Sequence, residues 1–200
     1  MSSERQRLLE ILRARSLKLG QFKLVSGKTS NYYFDSKPTT LDPEGSYLTA
    51  RLMLQEIKKQ RIGAEAIGGL TLGADPIVSA VAAISFAERS SFSPIAAFIV
   101  RKEAKQHGTQ QFIEGIEPRP GMRVIIVDDV CTTGTSTLKA IERSEQAGMK
   151  VVAVFCLVDR QQGGADTLKN YPFTALFTAS ELLETPEIQE QLVRLEHTAQ

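Results

Sequence analysis

The apolar run at residues 124–127, Val-Ile-Ile-Val, most constrains what this chain can fold into. Four β-branched residues without a polar break predict a strand that is buried on both faces, as in the middle of a parallel sheet. Asp128 and Asp129 follow directly. Because neighbouring strand residues point to opposite faces, we expect the two carboxylates to have different roles.

Residues 132–136, Thr-Thr-Gly-Thr-Ser, form a small-residue turn that leads into a segment of helical composition. A helix N-terminus offers free backbone N–H groups and the positive end of a dipole, which suits a phosphate. The acids before it suit ribose hydroxyls or Mg²⁺, so the stretch predicts a ribose-phosphate site. The structural alternatives are an acid pair that only caps the helix and an ordinary turn. No Walker sequence is present.

The rest of the chain alternates between strand and helix patterns, which predicts an α/β fold with a mostly parallel open sheet flanked by helices. Ligands of such folds bind at the carboxyl ends of the strands. The predicted strands other than the central one lie at residues 66–67, 95–100, 151–158 and 173–177.

The first 35 residues predict a helix followed by a hairpin-like excursion. A capping box begins at Ser3, and apolar residues recur at helical spacing until Gly20. Residues 22–35 are rich in aromatics and broken by Ser-Gly, which favours a short hairpin.

Composition places the chain among soluble single-domain proteins and excludes several classes of function. Two hundred residues with 42% hydrophobic and 24% charged content fit one globular domain, residues 1–200. A net charge of +1 argues against nucleic acid as a partner. Cys131 and Cys156 give neither a metal spacing nor a disulfide framework. Without a signal-peptide core or a membrane span, we expect a cytoplasmic protein that does not bind membranes.

A cluster of cations follows the strand predicted at residues 95–100. Arg101, Lys102, Lys105 and His107 lie within seven residues. Such a cluster is usually a solvated loop, but at the ligand edge it can neutralise a leaving anion such as pyrophosphate. Two alternatives remain for Glu114, which either pairs with one of these cations or is exposed.

Two further features at the same edge have both a structural and a functional interpretation. The glycines at residues 68–73 fit an ordinary strand-to-helix turn or a close approach of the backbone to a second phosphate. Arg160, after the strand at residues 151–158, fits a surface salt bridge or a two-pronged pair with a carboxylate of the substrate.

Four segments in order resemble the orotate phosphoribosyltransferases, which belong to the type I phosphoribosyltransferases. They lie at residues 22–45 (beginning Phe-Lys-Leu-Val-Ser-Gly-Lys), 101–109 (Arg-Lys-Glu-Ala-Lys-Gln-His-Gly-Thr), 127–136 (Val-Asp-Asp-Val-Cys-Thr-Thr-Gly-Thr-Ser) and 158–160 (Val-Asp-Arg). The resemblance implies the type I fold with a small N-terminal hood, contributed mainly by residues 1–40 and the C-terminal segment. It also implies transfer of ribose 5-phosphate from phosphoribosyl pyrophosphate (PRPP) to orotate, with Mg²⁺, in pyrimidine biosynthesis.

The resemblance further implies site residues and a homodimer in which Lys102 reaches the partner's site. The implied catalytic residues are Arg101, Lys102, Lys105 and His107. The implied PRPP contacts are those four residues with Asp128, Asp129, Val130, Cys131, Thr132, Thr133, Gly134, Thr135 and Ser136. The implied orotate contacts are Thr132 and Arg160, with Lys28 and the aromatic residues Tyr32, Tyr33 and Phe34 as contacts from the hood. Mg²⁺ is expected to bind mainly through PRPP, with Asp128 or Asp129 contacting it through water.

The chain departs from the family pattern at two places. Val25 stands where some members have a lysine before the hood Ser-Gly, and Gln110-Gln111-Phe112 replaces glycines that often follow the His-Gly-Thr of the loop. Two rival functions share the PRPP motif, namely transfer to a purine base and a PRPP-sensing regulator on the same fold.

Overall fold

A computed structural model describes residues 3–23, 29–103 and 112–198 of the chain. The predicted α/β class is confirmed, with strands and helices alternating along most of the chain. In chain order the elements are α1 (Ser3–Arg15), β1 (Leu17–Lys23), β2 (Thr29–Phe34), α2 (Lys37–Thr40), α3 (Pro43–Lys59), β3 (Ala66–Leu70), α4 (Asp75–Ala87), β4 (Ala96–Val100), β5 (Ile113–Glu114), β6 (Arg123–Cys131), α5 (Thr135–Gln146), β7 (Lys150–Asp159), α6 (Gly164–Thr167), β8 (Phe173–Thr178), α7 (Ala179–Leu183) and α8 (Pro186–Thr198).

The main sheet has six strands in the order β5-β4-β3-β6-β7-β8, and all are parallel except the short β5. The strand order reverses between β3 and β6. The strand after β3 in sequence, β4, is added on one side, whereas the strand after β6, β7, is added on the other side. Ligands of open α/β sheets bind in the crevice at such a reversal. The loops after β3, β4, β6 and β7 therefore share the ligand edge, as the sequence predicts.

Strand β6 is buried on both of its faces, which confirms the prediction from its apolar run. Ile125 and Val127 pack with helices α1, α3 and α4 in one half of the core. Val124 and Ile126 pack with α5 in the other half. A strand covered by helices on both sides accepts apolar residues at every position, so its sequence does not alternate.

The prediction that the first helix continues to Gly20 is wrong. Helix α1 ends at Arg15, and Leu17 already pairs with Phe34 across the antiparallel β1–β2 ribbon. The register of the β1–β2 pairing shifts between Leu19 and Phe22. Gly20, which lies in this interval, has a φ of +152°. Strand pairing with a distant segment overrides the local helical spacing of leucines.

The ribbon and the C-terminal helix form a small layer beside the main sheet. Helix α8 packs on both β1 and β2, which is the arrangement expected of the predicted hood. Thr178 and Glu181 form a capping box at the start of α7. Among the described residues, no helix is long and apolar enough to span a membrane.

Candidate active site

Asp128 and Asp129, at the carboxyl end of β6, contact different elements, as the strand geometry predicts. Asp128 accepts hydrogen bonds from Ser136 Oγ at 2.8 Å and Thr137 Oγ1 at 2.6 Å, both in the first turn of α5. Asp129 accepts a hydrogen bond from Ser36 Oγ, which precedes α2. One acid is thus held by the predicted phosphate loop and the other by the opposite wall of the crevice.

Burial makes the Asp128 carboxyl group unusual. Its residue is 8% exposed, and desolvation raises its pKa to about 6 despite the hydrogen bonds from Thr137 and Ser136, which lower it. The charge of the neighbouring Asp129 carboxylate makes a smaller contribution to this raised pKa. A carboxylate held at a cost to folding is a frequent sign of a functional position.

The predicted phosphate loop, residues 132–136, connects β6 to α5. Gly134 precedes the helix with a φ of +79°, a left-handed conformation that glycine adopts without strain. Thr133, Thr135 and Ser136 are exposed at the helix start, where their N–H and hydroxyl groups can bind a phosphate. The structure therefore brings these residues together at the end of β6, and their contacts with PRPP stay predictions.

Cys131 lies under this loop as a small filler. Its side chain is fully buried, and a Cβ on Gly164 would lie 2.4 Å from its sulfur. Burial raises the pKa of the Cys131 thiol to about 11, so the thiol stays protonated near neutral pH. Cys131 therefore supports the loop by packing rather than by chemistry.

The glycine loop after β3 closes the other side of the crevice. A Cβ on Gly73 would lie 2.1 Å from Asp129 Oδ1, and a Cβ on Gly69 would lie 2.1 Å from the carbonyl oxygen of Val127. The backbone at the end of β3 and in the loop after it thus lies directly against β6 and its second acid. Only glycine permits that approach at both positions.

We expect Gly73→Ala to impair PRPP use while leaving the fold intact. The new methyl group displaces the Asp129 carboxylate, which is the end of a movable side chain, and breaks its bond to Ser36. Losing a hydrogen bond to a charged group costs about 1.5–3 kcal/mol, so kcat/KM for PRPP should fall roughly 10–100-fold. Steady-state kinetics and thermal denaturation test this.

The matched control for Gly73→Ala is Gly69→Ala, whose methyl group would meet the carbonyl oxygen of Val127 and the Cβ atom of Ala74, neither of which is the end of a movable side chain. This control should lower Tm clearly, because backbone cannot move aside cheaply. Equal losses of Tm in the two variants would contradict a specific role for the Gly73–Asp129 contact.

Arg101 and Lys102 begin the predicted cationic loop directly after β4. Arg101 Nη1 donates to Glu114 Oε1 at 2.6 Å, which decides between the two alternatives for Glu114 in favour of pairing. Lys102 is exposed. The predicted contacts Lys105 and His107 lie outside the described residues, so their roles stay predictions.

Arg160, the predicted carboxylate ligand, lies after β7 beside the phosphate loop. Its backbone N–H donates to the carbonyl oxygen of Cys131 at 2.8 Å, and its guanidinium lies 5.0 Å from the ring centre of Tyr32 in the hood. Among the described residues, its buried Nε and Nη2 atoms have no hydrogen-bond partner. The surface salt bridge considered from the sequence is therefore absent there, and two donors remain for a substrate.

The structure brings Tyr32, rather than Tyr33, to Arg160. Successive strand residues face opposite ways, so Tyr33 packs on Phe22, with ring centres 5.6 Å apart. Phe34 is buried in the core and borders a small cavity that Tyr32 and Arg160 also line. Lys28 lies outside the described residues. Contacts of Tyr33, Phe34 and Lys28 with orotate thus stay predictions.

Sequence reasoning missed three residues that hold the site in shape. Ser36 binds Asp129, Thr137 binds Asp128, and Arg143 of α5 binds main-chain carbonyl groups of the cationic loop. Thr137 had a usable signal, since it lies in the helix turn after the phosphate loop. Ser36 and Arg143 had none, because their partners are distant in sequence.

The residues at the edge fit a metal ion that arrives with its substrate. Within the described parts of the chain, no group of three or more His, Cys, Asp or Glu side chains could hold a metal by itself. Mg²⁺ commonly keeps several waters and binds through one or two carboxylates and substrate phosphates. Asp128 and Asp129 are suited to such partial coordination.

Comparisons with known proteins agree with this geometry. A family model described as a phosphoribosyl transferase domain matches residues 48–183. The orotate phosphoribosyltransferase of Bradyrhizobium sp. strain BTAi1 is 46% identical over 187 residues, which cover 91% of this chain and 98% of that protein.

Solved structures of the Mycobacterium tuberculosis orotate phosphoribosyltransferase are similar throughout. One has a TM-score of 0.78 with 36% identity, and another, in complex with PRPP, has a TM-score of 0.73 with 34% identity. Each covers 90% of this chain and 98% of the solved chain. The resemblance seen in the sequence is confirmed, and the chain belongs to the orotate phosphoribosyltransferase family.

Proposed function

We propose that this orotate phosphoribosyltransferase makes orotidine 5′-phosphate and pyrophosphate by holding PRPP across the crevice between β3 and β6. The observation that carries the proposal is the Arg160 guanidinium, whose buried Nε and Nη2 atoms lack partners among the described residues. It lies one strand away from the phosphate loop. A carboxylate-bearing base can therefore be held beside a ribose phosphate.

Different residues of the site bind PRPP and orotate. N–H and hydroxyl groups of residues 132–136 hold the 5′-phosphate, and Asp128 and Asp129 accept hydrogen bonds from the ribose hydroxyls. Arg160 and Thr132 hold orotate, with the ring of Tyr32 behind the guanidinium. Fixing both reactants in one geometry supplies much of the rate acceleration.

Breaking the anomeric C–O bond leaves positive charge on the ribose ring and negative charge on pyrophosphate. Arg101, Lys102, Lys105 and His107 stabilise the departing pyrophosphate electrostatically. Asp128 or Asp129 would hold Mg²⁺ through water, and the ion would further neutralise the phosphate charge. No side chain needs to form a covalent intermediate, because a ring nitrogen of orotate is the nucleophile.

The activity is tested by following orotate absorbance with PRPP, with and without Mg²⁺, beside adenine, hypoxanthine and uracil. We expect orotate to be consumed only when PRPP and Mg²⁺ are both present. Preferred turnover of a purine would favour the rival transferase, and PRPP binding without turnover of any base would favour a regulator. The cytoplasmic location of the reaction stays a prediction from the sequence.

The second part of the proposal is a homodimer that uses the face between α3 and α4, called here the α3–α4 face. Exposed apolar side chains concentrate on or beside it, with Leu41 68%, Leu72 71% and Phe86 62% exposed. A groove of about 480 Å³ on this face is lined by Tyr47 and Ala83. Apolar patches of this kind mark protein interfaces, and Leu72 belongs to the glycine loop, so a second copy would lie next to the site.

We expect Ala83→Arg to dissociate the dimer into 22.0 kDa protomers. Ala83 is exposed in the protomer, so the fold can accommodate arginine, whereas a closed interface cannot. Analytical ultracentrifugation measures the oligomeric state, with Ser93→Arg, an exposed position that does not line the groove, as control. A dimer that survives Ala83→Arg would contradict this choice of face.

Mixing inactive subunits tests whether Lys102 acts in the partner's site. Lys102→Ala and Arg160→Met subunits are combined and allowed to exchange. Random pairing makes half of the dimers mixed, and each mixed dimer has one intact site, so about a quarter of wild-type activity should return. No recovery would mean that Lys102 acts within its own subunit.

A further inference from the structure

Arg143 contacts both ends of the segment at residues 101–112. Its guanidinium donates to the carbonyl oxygen of Arg101, and to that of Lys102 at 2.7 Å. The same group lies 4.1 Å from the ring centre of Phe112. Arg143 is on α5, eight residues after Thr135, so it lies roughly 12 Å along the helix from the phosphate loop.

The main-chain groups at the base of this segment are satisfied by three different elements. Val100 O accepts from Thr71 N at 3.0 Å in the glycine loop, and Arg101 N donates to Phe112 O at 2.9 Å. Arg143 donates hydrogen bonds to the next two carbonyl groups, those of Arg101 and Lys102. β4 ends at Val100, so without Arg143 these two groups would have no strand partner.

Arginine is chemically suited to this contact. Its planar guanidinium presents several donors in a fixed fork and stays charged, so it can bind two successive carbonyl groups while stacking on an aromatic ring. Lysine has a single nitrogen and cannot reproduce that geometry. The Phe112 ring lies against the guanidinium and supplies that aromatic contact.

We propose that Arg143 is a positioning residue for phosphoribosyl transfer, which fixes the start of the pyrophosphate-binding segment relative to the helix that binds the 5′-phosphate. The proposal rests on the proposed function of Arg101 and Lys102. The segment binds the pyrophosphate end of PRPP and the helix binds its 5′-phosphate end. The bond that breaks lies between those two ends. Misplacement by about 1 Å can cost roughly 100-fold in rate, so a rigid link between them matters for turnover.

The kinetic test compares Arg143→Met and Arg143→Lys with Lys139→Met, an exposed cation on the same helix. We expect Arg143→Met to lower kcat roughly 10–100-fold and to raise KM for PRPP, with KM for orotate unchanged within about twofold. Arg143→Lys should recover only part of the loss, and Lys139→Met should match wild type.

A second measurement does not depend on catalysis. Trypsin should cleave after Lys102 about tenfold faster in Arg143→Met than in Lys139→Met at equal Tm, because the bonds to residues 101 and 102 are gone. Phe112→Leu, which keeps those bonds, should give a smaller increase. This readout separates failure of the proposal from failure of the proposed function.

Two outcomes would overturn the proposal. One is wild-type kinetics and wild-type cleavage in Arg143→Met. The other is a loss that follows Tm and affects both substrates equally, since that is the result of general destabilisation.

Discussion

Replacing Arg160 with methionine should lower kcat/KM for orotate by roughly 10²–10³-fold and at the same time raise Tm of the free enzyme. The loss follows because truncating one partner of a buried charged pair costs about 3–4 kcal/mol. The gain in Tm follows because Arg160 Nε and Nη2 are buried without hydrogen-bond partners among the described residues. Methionine keeps the apolar packing against Tyr32 without a charge to desolvate.

Two comparisons make the Arg160 prediction specific to the carboxylate of orotate. Arg160→Lys keeps the charge but loses the two-pronged geometry, so it should fall between wild type and Arg160→Met. Uracil lacks the carboxylate and serves as the matched substrate. If Arg160→Met lowered turnover of uracil as much as that of orotate, or if KM for PRPP rose in parallel, a carboxylate-binding role would be excluded.

Asp128→Asn should stabilise the free protein at pH 7.5 while lowering kcat/KM for PRPP about 10–100-fold. The amide oxygen can still accept from Ser136 and Thr137, which both bind one carboxylate oxygen. The variant no longer has a buried charge, whose pKa of about 6 lies above an ordinary value of about 3.9. That difference corresponds to about 3 kcal/mol, or roughly 5 °C or more in Tm.

The sign of the pH dependence for Asp128 is fixed by the raised pKa. Between about pH 4 and about pH 6 the native state binds more protons at this group than the unfolded state, so its contribution to stability falls as pH rises. The Tm advantage of Asp128→Asn should therefore be largest above pH 6 and shrink to about a third at pH 4.5.

Thermal denaturation across pH checks the Asp128 prediction, with Asp166→Asn as an exposed control that removes the same charge. A Tm gain that does not change with pH would mean that burial of the Asp128 charge is not its cause. A Tm loss at pH 7.5 would mean that the hydrogen bonds need the carboxylate.

Local patterns predict the centre of this fold and site well. The run at residues 124–127, the two acids and the small-residue turn act through their own backbone geometry, so a central strand and a turn that opens a helix follow from neighbours in sequence. The first residue of a helix can be predicted for the same reason where a side chain caps it, as Asp42 caps α3.

Contacts between distant segments could not be predicted in the same way. Leu17 and Leu19 fit a helix locally and became a strand because they pair with residues 32–34. Ser36 and Arg143 belong to the site through partners more than 40 residues away. Their residue types are common on surfaces, and no spacing marks them.

The most direct test of the account is a crystal structure of the enzyme with orotidine 5′-phosphate bound. We predict that the 5′-phosphate lies on the N–H groups of residues 132–136 and that the carboxylate of the base forms a two-pronged pair with Arg160, at N–O distances of about 2.8 Å. A phosphate bound at the glycine loop of residues 68–73, or a carboxylate that points to solvent while Arg160 stays unpaired, would contradict the account.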